Sequence, residues 1–216
     1  EGYAATSGDH WVRPLLCQEA LRLGRVLAEI AQSESEVHGL VALMEIQSSR
    51  LKTRVNAKGE PILLMDQNRA QWDRLLIRRG LAALERSERI GVPLGQYAIQ
   101  AKISACHAEA HSVEETNWVK IAALYEALYR ISPSPIVELN HAVAISMAFG
   151  PSLGLQLVDE LSRESSLQEY HLLYSVRGDL LFKLGRFEDA RIEFKRAASM
   201  TKNEKEKSLL MNRAKE

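Results

Sequence analysis

Between Tyr174 and Ala197, small and large residues recur at intervals that admit few arrangements of the backbone. Gly178, Leu181, Gly185, Ala190, Phe194 and Ala197 stand where two antiparallel helices joined by a tight turn require them. Gly178 and Ala190 are small, so the two helices approach closely. Gly185 ends the first helix, because glycine adopts the left-handed conformation that stops one. Phe194 and Ala197 then fall on the buried face of the second.

Fainter copies precede this pair. The stretch from Trp118 to Pro133 reads as the second helix of a repeat, with Ile121, Tyr125 and Leu128 on one face and Pro133 at its end. Ser134 and Pro135 supply an N-cap and a first-turn proline for the next helix. From Leu139 to Leu161, Ala142 and Gly154 take the small positions, and Val158 and Leu161 the buried face. The period is roughly 33 to 36 residues, that of a short, degenerate tetratricopeptide-repeat (TPR) solenoid, a scaffold used for binding far more than for catalysis.

The rest of the chain is helical too. Leu16, Ala20, Leu23, Leu27 and Ile30 step by 4, 3, 4 and 3, which is one face of an α-helix. Further helical blocks run over 37–47, 70–86, 94–108, 113–130 and 136–148, with a last helix near 204–214. Ser112 with Glu115, and Thr201 with Glu204, have the spacing of capping boxes. Strand character is confined to Thr53–Leu64, where Asn56-Ala57-Lys58-Gly59 makes a hairpin turn with glycine at the left-handed position. The expected fold is therefore all-α, a TPR-like array of about ten helices with one short β-hairpin. Over 1–216 it forms a single domain: a helix pair (1–51), the hairpin (52–65), middle helices (66–110) and TPR-like repeats (111–216).

Lys plus Arg number 28 and Asp plus Glu number 28, so the formal net charge is zero and there is no basic footprint for nucleic acid. Cys17 and Cys106 are too few for a disulfide framework, which points to buried thiols in a reducing cytoplasm. No apolar run is long enough to span a bilayer. The start at Glu1, without methionine, is consistent with a fragment of a longer protein.

Three clusters carry polar chemistry. His107-Ala108-Glu109-Ala110-His111 has metal-ligand residue types, but the glutamate does not directly follow the first histidine, and no metal site is expected. Asp66, Gln67, Asn68 and Arg69, followed by Trp72 and Asp73, combine acid, amide and guanidinium at a helix start. Capping, with Arg69 paired to a carboxylate, is one use of them, and recognition through Arg69 and Trp72 is the other. Asn140 lies on a helix of otherwise apolar residues, where it bonds across a repeat interface or contacts a ligand. Gly-rich phosphate loops, nucleophile elbows and dinucleotide fingerprints are missing from the sequence, so no catalytic residues and no cofactor are expected, and the chain reads as a non-enzyme.

Taken in order, Glu1–Gly8, Glu19–Leu23, Gly39–Met44, Asp66–Arg69 with Trp72-Asp73, Ala105–Ala110 and Leu139–Ala144 resemble the C-terminal extension of one group of bacterial extracytoplasmic-function (ECF) RNA polymerase sigma factors. One departure is His141, where relatives often carry arginine. The resemblance implies a regulatory domain whose partners are its own sigma domains, core polymerase or a regulator protein. Sigma domains 2 and 4 are not in this chain, and no direct DNA or membrane binding is implied for it. In a rival reading, Asp66, Arg69, His107, Glu109 and Asn140 converge on an internal pocket that senses a small molecule.

Overall fold

The computed structural model describes residues 5, 7–8, 11–91 and 93–216; most of the 1–8 motif lies outside them. Among the described residues the chain forms ten α-helices: α1 (Pro14–Ile30), α2 (Ser35–Ser49), α3 (Arg74–Ile90), α4 (Gln96–Glu109), α5 (Trp118–Ile131), α6 (Pro135–Phe149), α7 (Pro151–Leu161), α8 (His171–Lys183), α9 (Phe187–Met200) and α10 (Glu204–Arg213). Two short strands, β1 (Ser7–Gly8) and β2 (Lys202–Asn203), pair in parallel. The fold is the all-α helical array that the periodicity predicts.

Local chemistry sets most helix starts. Proline occupies the first turn of α1, α6 and α7, where its missing N–H has no helical partner to lose. Ser134 Oγ accepts from Ile136 N at 3.3 Å, as a cap at that position should. Two capping assignments shift. Glu115 N donates to Ser112 Oγ and His111 N to Glu115 Oε2, so the box closes, but around an irregular turn that delays α5 to Trp118. At α10 the cap is Asn203, whose Oδ1 accepts from Lys205 N and Glu206 N, while Thr201 Oγ1 accepts from Asn203 N.

Backbone packing divides the chain into two compact units, residues 1–5 with 12–117 and residues 6–11 with 118–216. In the first, α2 is the central helix and packs against α1, α3 and α4. Its core is Ala42, Ile46, Trp72, Ile77, Leu84, Ala98 and Ala101. The contacts are close: a Cβ on Gly39 would lie 2.7 Å from Ala98 N, and one on Gly80 2.6 Å from Ile46 Cγ1. On α1 the line Cys17, Leu21 and Gly24 is buried, whereas most of the apolar stripe from Leu16 to Ile30 stays exposed.

The hairpin of the first unit is smaller than its sequence suggests. Its turn forms, with Gly59 at φ 73° and Asn56 Oδ1 accepting from Lys58 N and Glu60 N, but the ladder is a single antiparallel bridge between Val55 and Pro61. That bridge is a non-hydrogen-bonded pair framed by Asn56 N to Glu60 O and Ile62 N to Arg54 O, and 3-10 turns at Leu51–Thr53 and Leu64–Asp66 leave little chain to extend it.

In the second unit α5 to α10 pack in succession, each helix against the next. The core runs from Leu139 and Ala142 through Val158, Leu173 and Leu181 to Phe194 and Ala197. All six repeat positions behave as spaced. Gly178 sits against Phe194, where a Cβ would come within 2.9 Å of the ring. Gly185, at φ 75°, ends α8: its N donates to Phe182 O and Arg186 N to Leu181 O, which together satisfy the last carbonyls. Leu181, Ala190, Phe194 and Ala197 are buried.

Candidate functional site

The polar motif of residues 66–73 becomes a buried knot in the first unit. A 3-10 turn over Arg69–Gln71 is capped by Asn68, whose Oδ1 accepts from Ala70 N, and it turns the Arg69 side chain inward to 5% exposure. Arg69 Nη1 donates to His107 O (3.1 Å), Ala110 O (3.2 Å) and Thr116 Oγ1 (2.9 Å). The partners are two carbonyls and a hydroxyl rather than the carboxylate suggested by sequence. The physical reason is that the end of α4 presents carbonyls without helical donors, and a cation is favoured there.

Trp72, 2% exposed, has two guanidiniums near its ring, with Arg50 Cζ 5.6 Å and Arg69 Cζ 5.5 Å from the centroid. Gln47 joins Arg50 to α4: its Oε1 accepts from Arg50 and Arg54, and its Nε2 donates to Ser104 Oγ. Gln67 is buried and donates to Ile62 O, which ties the hairpin to the knot. Asp73 caps α3, accepting from Leu75 N and Leu76 N, and its own N donates to Ser49 O.

Electrostatics follow from burial. Desolvation lowers the pKa of Arg69, while Glu114 and Glu115 act in the opposite direction. Burial pushes the His107 imidazole down to about 3, and the Arg50 and Arg69 charges add to this. His107 is therefore neutral at physiological pH.

Of the residues singled out by sequence, Arg69, Trp72 and His107 meet in this knot, Gln67 is bonded beside it to Ile62 and Thr53, and all four are buried. Asp66 and Glu109 are exposed beside it. Asn140 belongs to the second unit, exposed on α6. Cys17 and Cys106 are both buried. Arg50, Arg54, Gln47 and Ser104 carry no motif signal, and only the packing of α2 on α4 reveals them.

Two clefts of about 550 and 530 Å3 flank the Arg25–Glu45 pair in the trough that α1 and α3 form over α2. Arg25 binds the buried Glu45 through one edge of its guanidinium, Nε to Oε1 at 2.8 Å and Nη2 to Oε2 at 2.9 Å. In the second unit Glu138, His141, Glu160 and Glu164 border a smaller cleft of about 250 Å3. There Arg177 bridges Asp159 and Glu193, which fixes α7 and α9 to α8.

Residues 1–88 match a family of unknown function (DUF6596). An uncharacterized protein of Rhizobium meliloti (strain 1021) is 43% identical over 206 residues, which is 95% of this chain and 48% of that relative. The chain thus spans about half the length of the curated relative it matches. No solved structure matches it.

Proposed function

We propose that the chain is the C-terminal regulatory domain of an ECF-type RNA polymerase sigma factor, acting through protein contacts rather than on DNA or as an enzyme. The observation that carries the reading is the ordered run of six motifs spread from Glu1 to Ala144. A relative about twice the matched length is compatible with a second half that holds the promoter-reading domains. Equal numbers of acidic and basic residues argue against a role in binding duplex DNA. A helical array whose polar motif serves as an internal brace suits a rigid platform for another protein.

The test is run-off transcription with the full-length protein and a form lacking α1 to α10, at matched concentrations. Transcription from the cognate promoter should fall in the truncated form, while the isolated chain should give no salt-sensitive gel shift with the same duplex. Equal transcription from both forms overturns the reading of a domain that supports or controls initiation.

The trough over α2 favours a second reading, in which a small molecule held near Arg25 and Arg79 switches the sigma domains. Arg79→Ala should then change transcription only in the presence of that effector.

A further inference from the structure

The first and last helices differ in chemistry. The outward residues of α10 are Glu204, Lys207, Ser208, Met211 and Asn212, a mainly polar surface of the kind that ends a helical stack. α1 presents the reverse. Leu15 is 81% exposed, Leu23 53% and Ile30 77%, with Leu16, Val26 and Leu27 also exposed.

These side chains are ordered. Leu16, Ala20, Leu23, Leu27 and Ile30 follow the 4-3-4-3 spacing of a coiled-coil seam over two heptads. α2 covers only the adjacent line Cys17, Leu21 and Gly24. The line Gln18 and Arg25, on the other flank, borders the trough. Glu19 and Arg22 pair with each other beside the stripe, at 2.7 Å, and so leave it apolar. An α1 with this outer face is built as an interior helix of an array, lacking the polar surface of a terminal one.

A second copy of the chain is a poor occupant. A 17-residue helix is roughly 25 Å long, and one such seam buries less than the roughly 800 Å2 per partner of an ordinary stable interface. A covalently joined helix needs no such area, because tethering supplies an effective concentration on the order of millimolar. The matched relative has about half its length outside the region shared with this chain, enough to carry that helix.

We propose that the exposed flank of α1 is a docking seam for an amphipathic helix supplied in cis by the rest of the full-length protein. The identity of that region as sigma-type rests on the function proposed above. Its helix lays leucine-like side chains between Leu16, Leu23, Leu27 and Ile30, and so sets where the regulatory domain sits on the domains it controls.

The experiment measures maleimide labelling of Leu23→Cys in the full-length protein and in the chain 1–216, with Glu188→Cys, exposed on α9, as the control. Labelling at position 23 should be at least tenfold slower in the full-length protein, with position 188 reacting equally in both. Leu16→Asp with Ile30→Asp should restore fast labelling at position 23 without changing the circular dichroism. Equal labelling at position 23 in the two proteins overturns the inference. So does protection in the isolated chain together with sedimentation as a dimer, which would make the occupant a second copy. Transcription is not the readout: fast labelling with intact dependence of transcription on the domain defeats the seam alone. Slow labelling in a full-length protein without promoter activity defeats the sigma reading alone.

Discussion

Arg69 closes the end of α4: its buried guanidinium donates to His107 O, Ala110 O and Thr116 Oγ1. Arg69→Ala leaves those acceptors buried and unmatched, so denaturant unfolding should show a loss of about 2–3 kcal/mol. Asn140→Ala, on an exposed face, should change stability by less than about 0.5 kcal/mol. A loss of that small size at position 69 would show that water takes over the bonding.

His107 gives a pH signature. Its folded pKa of about 3 lies below the ordinary 6.5, so below pH 6.5 the unfolded state binds a proton that the folded state excludes. The stability due to this group is complete above pH 6.5 and is lost as pH falls from there toward 3, at up to about 1.4 kcal/mol per pH unit. Between pH 6.5 and 5, before most carboxylates titrate, His107→Gln should flatten the fall of the unfolding midpoint. An unchanged slope would mean that the imidazole is solvated. The sequence could name these side chains because rare polar types stood in apolar surroundings. It could not give their partners, since a carbonyl at the end of a helix leaves no mark in residue type.

At the scale of elements, periodicity was a dependable guide wherever glycine or proline marked an end. Gly185, Gly59 and Ser134-Pro135 stop or start their elements where the spacing places them. The hairpin shrank because 3-10 turns at Leu51–Thr53 and Leu64–Asp66 close in on both sides of the Val55–Pro61 bridge, and α5 began late because the Ser112 box stabilises a turn as readily as a helix. The stripe on α1 teaches a different lesson: a 4-3-4-3 pattern specifies a helix face but not what covers it. In the repeat, the contact that decides helix separation is Gly178 against the Phe194 ring. Gly178→Leu must displace that ring, and Ala190→Leu overpacks a site 1% exposed, so each should cost about 1–3 kcal/mol or more. Glu188→Leu, on the solvated side of α9, should cost little, and three equal melting temperatures would mean that the register is wrong.

At the scale of the whole molecule, each unit has its own core, one centred on Ala42, Ile46 and Trp72 and the other on Val158, Leu181 and Phe194. The boundary near Asn117 was hard to read because it falls in a short capped turn rather than in a long Pro- or Ser-rich linker. Separate cores imply separate cooperativity, since a defect propagates only through side chains that share a packed interior. Gly154→Ala provides the test: its methyl would meet Ser146 Cβ at 2.4 Å and Ala142 O at 3.0 Å, forcing α6 and α7 apart within the second unit. In hydrogen exchange measured residue by residue, amides of α6 to α9 should exchange about ten- to a hundredfold faster in this variant, the effect of roughly 1.4–2.8 kcal/mol on local opening. Amides of α2 to α4, which answer to the Ala42–Trp72 core, should keep their wild-type rates. Acceleration spread evenly over both sets would mean that the chain unfolds as one cooperative body, and that the two cores are one in energy although they are two in packing.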